Sequence, residues 1–252
     1  MELNLKGIVR YDGGRFAGWQ VQPDQRTVQG ELERCLSQIA GGPVRVHGAS
    51  RTDAGVHAFG QVFSFRWPAA KGFDRLPRAL SSMLGPEIRV VSIEQAADDF
   101  HARFSARSKR YAYSICCLRD TDPFTARYAW HIAWEIDWDR LAGLARRLCG
   151  RRDFAGFQSA GSPASCTIRT LETVELHRGC VVGPINDKNG WRLEFAGDGF
   201  LYHMVRNMTG TLIEIARGRF PESWLEERLD SRGPFKGLTA PPHGLALIAV
   251  TY

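Results

Sequence analysis

The stretch Gly-Ala-Ser-Arg-Thr-Asp-Ala-Gly-Val-His-Ala, residues 48–58, combines one carboxylate, Asp53, with an arginine two positions earlier, Arg51, among small residues. Residues 44–47 and 61–67 flank it and have the composition of β-strands. The stretch is therefore predicted to occupy a strand end and a loop. Small neighbours let a substrate approach the backbone, and a nearby guanidinium favours the ionised form of a carboxylate.

Outward from this stretch, the first half of the chain alternates strand and helix patterns. Residues 5–10 and 88–93 read as strands. Thr27 is predicted to cap a helix whose apolar residues recur at helical spacing, and Asp74 is predicted to cap a second one. Together with the two strands beside the Asp53 stretch, the order is β-α-β-β-α-β, which is the ferredoxin-like order.

The second half approximates the same order. Residues 110–117 have strand character, Asp137 is predicted to begin a helix that ends by Gly150, and residues 168–177 and 191–196 are predicted to form a hairpin. The remaining predicted elements are a polar connection at residues 183–190, a long helix marked by Met204, Met208, Leu212 and Ile215 and ended by Gly218, and a closing strand at residues 245–251.

The composition is that of a globular protein with a basic balance. A length of 252 residues suggests one large domain or two smaller ones. The net charge of +6 favours a polyanionic partner, because contacts to phosphates release counterions, although a basic surface without such a partner fits the charge equally well. The N-terminus has no apolar signal core, and the longest apolar runs are too short to span a bilayer.

Neither a metal site nor a disulfide framework is indicated. The six cysteines include no Cys-x-x-Cys pair, so reduced thiols in a cytosolic protein are the simplest interpretation. The seven histidines are scattered, and no two of them are three or four residues apart near a carboxylate. No phosphate-binding loop and no dinucleotide glycine pattern is present, so neither a metal nor a nucleotide cofactor is predicted.

Two further stretches carry residues suited to nucleic-acid chemistry. Residues 99–113 interleave arginines with aromatics, which suits phosphate contacts and stacking on unpaired bases, although a half-buried strand with a charged start has the same composition. Tyr111 and Tyr113 would share one face of that strand. Residues 199–208 open the long helix, and Arg206 lies off its apolar stripe, where a free arginine would also be unexceptional.

These three stretches, in this order, resemble the motifs of the tRNA pseudouridine synthase A family. Residues 11–20 resemble its N-terminal motif of a glycine-bearing turn followed by Gly-Trp-Gln, and Gly244-Leu245 resembles its C-terminal motif. The resemblance implies that Asp53 is the catalytic nucleophile and that Arg51 and Arg206 orient it. It further implies that Tyr111 packs on the target base and that Leu245 lines the uracil pocket. For His57, we favour a structural role in fixing the loop.

The same resemblance implies the fold and the activity. The expected fold class is α+β, with two ferredoxin-like halves, a central mostly antiparallel sheet and a basic cleft. The halves are predicted as residues 1–104, with the catalytic aspartate, and residues 105–252, with the base-stacking tyrosine and the pocket. The expected protein is a cytoplasmic homodimer that isomerises uridine at positions 38, 39 and 40 of the tRNA anticodon stem-loop, with no cofactor, metal or membrane.

The residues leave alternatives open. Ser50 stands where the family commonly has glycine, which adds bulk near Asp53. One carboxylate is compatible with attack at C1′, addition at C6 or proton abstraction at C2′. Two other classes of protein also fit the pattern: a catalytically silent RNA-binding module, and a carboxylate-dependent hydrolase acting on a nucleic acid.

Overall fold

A computed structural model describes residues 1–117, 122–161, 166–182 and 189–252. The Cα positions form two compact units, one made of Met1–Arg107 with Leu247–Tyr252 and the other of Ser108–Ala246. The last six residues of the chain therefore group with its N-terminal part. The assignment of separate functions to residues 1–104 and 105–252 stays a prediction.

The first unit is built on long antiparallel strands with two helices. Its elements are β1 (Glu2–Tyr11), α1 (Val28–Ala40), β2 (Val46–Gly48), β3 (His57–Pro68), α2 (Leu76–Met83) and β4 (Ile88–Gln95). Strand β1 pairs with both β3 and β4, and the short β2 pairs with β3, all antiparallel. This order confirms the predicted β-α-β-β-α-β sequence of the first half.

Of the two helix starts predicted in this unit, one is confirmed and one is wrong. The Thr27 side chain accepts a hydrogen bond from Gly30 N at 3.2 Å and begins α1, as its residue type predicts. Helix α2 instead begins after Arg75 with no side-chain cap. Its second residue, Pro77, has no N–H to satisfy, and Leu76 N bonds Phe73 O at 3.0 Å, so the capping role predicted for Asp74 is not needed.

The second unit contains the remaining elements. They are β5 (Ser108–Cys116), β6 (Trp130–His131), α3 (Trp138–Arg146), β7 (Gly150–Asp153), β8 (Ile168–Arg178), β9 (Gly190–Gly197), α4 (Met204–Ala216), α5 (Ser223–Asp230) and the start of β10 (Leu245–Thr251). Strands β5, β9, β8 and β7 pair in that order, antiparallel, and β6 pairs parallel with β5. The predicted hairpin is confirmed as β8 and β9, while most of its connection, residues 183–188, lies outside the described residues.

The predicted start of helix α3 is confirmed, and its predicted end is not. Asp137 accepts from Arg140 N at 2.9 Å and begins α3, as predicted. The helix ends at Arg146, however, and Gly150 has a φ of +105° where β7 begins, so this glycine marks the strand and not the helix end. Helix α4 is buried along almost its whole length, so its polar residues need partners inside the protein.

The predicted α+β class with mostly antiparallel strands is confirmed by these elements. Within the described ranges, every helix is too short or too polar to cross a bilayer.

Candidate active site

Asp53 lies in the loop between β2 and β3, as the sequence predicts. Its side chain is half-buried, and the preceding Thr52 is buried. The carbonyl oxygen of Asp53 accepts a hydrogen bond from Val56 N at 3.1 Å, and Gly55 inside that turn has a φ of +80°, a value that favours glycine. The loop therefore presents a carboxylate on a closed turn.

The N-terminal motif of the chain holds this loop from one side. Trp19 N donates to Thr52 O at 3.0 Å, and the Tyr11 and Thr52 hydroxyls form a buried hydrogen bond of 2.8 Å. Gly18 has a φ of +98°, and a Cβ there would lie 2.7 Å from Thr52 O. Only glycine lets the two backbones approach this closely, so the motif is part of the Asp53 loop's support.

The same motif is anchored to helix α1. Val28 N and Gln29 N in the first turn of α1 donate to the carbonyl oxygens of Gly18 and Trp19, at 3.2 and 3.0 Å. The indole of Trp19 is 2% exposed, and a Cβ on Gly48 would lie 2.4 Å from it. Helix α1, the tryptophan and the end of β2 thus form one packed support behind Thr52.

The opposite end of the loop is fixed by a buried amide. Gln61 of β3 is fully buried, its Nε2 donates to Ser50 O at 2.7 Å, and its Oε1 accepts from Ser50 N at 3.2 Å. Both groups contributed by Ser50 are main-chain atoms, and a glycine at this position would offer the same two. The departure from the family pattern at residue 50 therefore leaves this support in place.

His57 has the loop-fixing geometry that the sequence interpretation favours. Its side chain is 5% exposed, and its Nδ1 accepts from Gly13 N at 3.1 Å. A Cβ on Gly13 would lie only 2.0 Å from Val56 O, so the glycine-bearing turn and the end of the Asp53 loop touch each other. This contact joins the two sequence motifs directly.

The ion pair between Arg51 and Asp53 that a strand would favour is not formed in the described part of the chain. Residues 51–53 lie in irregular structure and not on a strand, and the Arg51 side chain is exposed. Within the described part of the chain it forms no ion pair with a carboxylate. Its orienting role therefore stays a prediction for the substrate-bound protein.

In the second unit, Tyr111 and Tyr113 occupy one face of β5, as predicted. Tyr111 is 5% exposed, and its ring meets that of Phe200 edge to face at 5.1 Å. Tyr113 is fully buried, and its hydroxyl donates to Pro241 O at 2.7 Å. Burial raises the pKa of Tyr113 well above its usual value, against a smaller opposing effect of Arg206. Tyr113 is therefore a neutral structural anchor.

Arg206 lies in the first turn of α4 and binds the segment before β10. Its Nε donates to Ala240 O at 2.8 Å, and its carbonyl accepts from Ala240 N at 3.2 Å. The residue that caps this helix, His203, has a φ of +60°, a strained value for a residue with a side chain. The start of α4 and the segment around Ala240 are thus joined by two hydrogen bonds of Arg206.

Asn207 is a buried polar residue that sequence reasoning missed. Its Nδ2 donates to Phe157 O at 2.8 Å and to Ser159 Oγ at 3.1 Å, and its Oδ1 accepts from Thr239 Oγ1 at 2.7 Å. These bonds tie the start of α4 to two chain segments that are distant in sequence. An asparagine inside an apolar stripe, directly after Arg206, was the available signal.

Leu245 begins β10 with 6% of its surface exposed. The preceding Gly244 packs on Tyr113, where a Cβ would lie 2.8 Å from the ring. Leu245 therefore directly follows a segment whose position is fixed by contacts with Tyr113 and Arg206.

In the ranges that the structure describes, no group of three or more histidine, cysteine, aspartate or glutamate residues is arranged to hold a metal ion.

Comparisons with known proteins identify the family of this chain. The sequence model of the family described as tRNA pseudouridine synthase matches residues 8–105 and 144–252, which include Arg51, Asp53, Arg206 and Leu245. Tyr111 lies between the two matched ranges. A protein of Streptococcus mutans named tRNA pseudouridine synthase A is 37% identical over 253 residues, 99% of each chain. Proteins of the same name from a Thermoanaerobacter species and from Bacillus pumilus are 37% and 38% identical, again over 99% of each chain.

Proposed function

The chain belongs to the tRNA pseudouridine synthase family and is an isomerase that acts on tRNA, and on this premise we propose its site and its target. The target is uridine at positions 38, 39 and 40 of the anticodon stem-loop, and Asp53 is the catalytic residue. The proposal depends on the family match over both parts of the chain. It also depends on the Asp53 loop, which is held by hydrogen bonds from Trp19 on one side and Gln61 on the other.

The reaction sets the requirements for the site. The N1–C1′ glycosidic bond of the uridine breaks, the base turns, C5 bonds to C1′, and the proton at C5 leaves. A base stacked in a stem must first leave the stack, which costs about a few kcal/mol. A carboxylate within reach of the sugar can then act as a nucleophile or take a proton. The atoms of substrate and product are the same, so the reaction consumes no oxidant and no nucleotide.

Asp53 suits this role because hydrogen bonds hold its loop at both ends and its side chain is only half-buried. The half-buried carboxylate follows Thr52, whose hydroxyl and carbonyl are both bound by the N-terminal motif. A reacting group that is held in one position loses little entropy in the transition state. The proposed role of Arg51 and Arg206 is to orient this carboxylate when the substrate is bound.

The base is proposed to be bound by the second unit. Tyr111 supplies the ring that stacks on the everted uracil, its hydroxyl assists removal of the C5 proton, and Leu245 lines the pocket. Aromatic rings stack on any unpaired base, with a gain of about 1–3 kcal/mol per base. That gain offsets part of the cost of base eversion.

We further propose that the protein works in the cytoplasm as a homodimer that recognises the shape of tRNA. The net charge of +6 supports a polyanionic substrate.

The test uses tRNA transcripts that carry tritium at C5 of uridine. The wild-type protein should release tritium and leave the mass of the RNA otherwise unchanged. Asp53→Asn, which keeps the size of the side chain, should release none while it still binds tRNA. Asp74→Asn, at an exposed position of the same unit, is the matched control and should be fully active.

Three outcomes would contradict parts of the proposal. Tritium release by Asp53→Asn removes the catalytic role of Asp53. Free uracil or cleaved RNA identifies a hydrolase. Binding without any conversion by the wild-type protein identifies an RNA-binding module. Mapping of pseudouridine in the product by carbodiimide treatment and reverse transcription tests the three positions.

A further inference from the structure

The first unit contains a basic groove outside the Asp53 loop. It has a volume of about 720 Å³ and is lined by arginines from three elements: Arg10 of β1, Arg78 of α2 and Arg89 of β4. All three side chains are exposed. No aspartate or glutamate lines it, so the groove carries only positive charge.

Two of these arginines face each other across a strand pair. Arg10 and Arg89 are direct partners in the antiparallel register of β1 and β4. Like charges at directly opposite positions destabilise a sheet. Arg10 Nε donates to Phe59 O at 3.1 Å, a neutral partner that leaves the charge uncompensated. Within the described ranges, none of the three groove arginines forms an ion pair with a carboxylate.

Several other arginines of this unit form ion pairs with glutamates. Arg34 pairs with Glu31 at 2.8 Å, and Arg45 pairs with Glu33 at 3.3 Å. Arg26 also bonds Glu31, at 3.2 Å. Ion pairing is thus the common arrangement on α1 and its surroundings. The groove, by contrast, concentrates cations at a cost in stability that the packing does not explain.

We propose that the groove binds the phosphodiester backbone of RNA through Arg10, Arg78 and Arg89. Guanidinium groups bind phosphate oxygens in a bidentate manner, and such contacts supply affinity without reading the base sequence. Three charges from three different elements in one open groove suit a chain of phosphates better than one small anion. The inference rests on the proposed function, because it takes the tRNA substrate as the RNA.

The groove is connected to the active-site loop through β1. Arg10 is followed by Tyr11, the residue whose hydroxyl bonds Thr52 at 2.8 Å. RNA phosphates bound at Arg10 therefore contact the same strand end that supports Asp53. The groove thus provides a second point of attachment for the substrate.

The test measures the affinity of an unmodified tRNA transcript at several salt concentrations for the variant Arg78→Gln/Arg89→Gln. Each lost phosphate contact reduces the slope of log affinity against log salt by about 0.7–0.9, so the slope should fall by about 1.5. The affinity near physiological salt should fall about tenfold. The matched control is Arg34→Gln/Arg45→Gln, which lowers the net charge equally at ion-paired positions and should leave both quantities near the wild-type values.

The outcomes separate this inference from its alternatives. Equal effects in both double variants would mean that net charge alone matters and would overturn it. So would a Tm of Arg78→Gln/Arg89→Gln, measured without RNA, below that of the wild type, because the arginines would then have a structural role. If the wild type and Arg78→Gln/Arg89→Gln bind tRNA equally at every salt concentration while only the wild type binds inorganic phosphate, the groove is a small-anion site and the RNA assignment fails. Binding is the readout, so a failure of catalysis by Asp53 leaves this result interpretable.

Discussion

The main-chain N–H of Trp19 donates to the carbonyl oxygen of Thr52 at 3.0 Å, and this bond couples the N-terminal motif to the residue before Asp53. Because Trp19 O also accepts from Gln29 N in the first turn of α1, the bond links the loop to a helix that is capped and packed. The position of the Asp53 carboxylate thus depends on a residue more than thirty positions earlier in the chain.

Gly18→Ala should damage this support. The added Cβ would lie 2.7 Å from Thr52 O at a φ of +98°, so the loop must move. We expect a loss of about 2–3 kcal/mol in the free energy of unfolding, measured with urea, and a clear loss of turnover. Gly41→Ala is the control, because this helix-ending glycine has a positive φ of +69° far from the loop. It should cost about 1 kcal/mol and leave turnover intact. Normal turnover in Gly18→Ala would show that the contact does not position Asp53.

Arg51→Lys tests the proposed orienting role. The charge survives, but the planar guanidinium with its fixed set of donors is lost. We expect turnover under saturating tRNA to fall about tenfold while the Kd for tRNA changes by less. Stability should stay at the wild-type value, since the exposed side chain forms no ion pair in the described part of the chain. An unchanged turnover would remove Arg51 from the catalytic machinery.

Tyr111→Phe separates stacking from proton transfer. The ring remains, so its edge-to-face contact with Phe200 and the affinity for tRNA should persist. If the hydroxyl helps to remove the C5 proton, turnover should fall about a hundredfold. Tyr113→Phe is the control on the same strand face. It loses the bond to Pro241 O and about 1 kcal/mol of stability, but it should keep its turnover. Wild-type turnover in Tyr111→Phe would limit Tyr111 to stacking.

Stability should fall in mild acid in part through His243. Burial, with a smaller contribution from Arg206, lowers the pKa of this histidine below its usual value, against a hydrogen bond with the Ala129 backbone. The unfolded chain then takes up the proton first, so stability is complete above a pH of about 6.5 and decreases as the pH falls from there through the folded-state pKa. Urea unfolding between pH values of about 7.5 and 5.5 should show a smaller loss for His243→Gln. Identical pH dependence in both proteins would contradict the assignment.

Two glycines inside helices should respond to alanine in opposite directions. A Cβ on Gly210 of α4 would lie 1.7 Å from Leu238 O, so Gly210→Ala should cost about 3 kcal/mol or more. A Cβ on Gly143 of α3 would meet no atom within 4 Å, so Gly143→Ala should stabilise by about 0.5–1 kcal/mol. Thermal unfolding measures both. A neutral Gly210→Ala would mean that α4 and the segment before β10 are not in close contact.

Local signals in the sequence predicted most elements correctly. Thr27 and Asp137 cap their helices because a side-chain oxygen needs only a backbone N–H three residues away. Elements without such signals were not predicted: β6 and β7 contain two and four residues, and α5 has a weak apolar face. Asp74 shows the opposite error, since a residue type suited to capping was unused where proline follows at the second helical position.

By itself, the sequence determined the order of most strands and helices, the family, and the presence of a single carboxylate in the 48–58 stretch, because periodicity, capping and motifs depend on neighbours along the chain. Only the tertiary structure decided what holds that carboxylate. Tyr11 and Thr52 are 41 residues apart, yet their hydroxyls lie 2.8 Å from each other. The physical reason is that such a bond depends on the register of β1 with β3, and this register is fixed by packing of side chains from the whole unit.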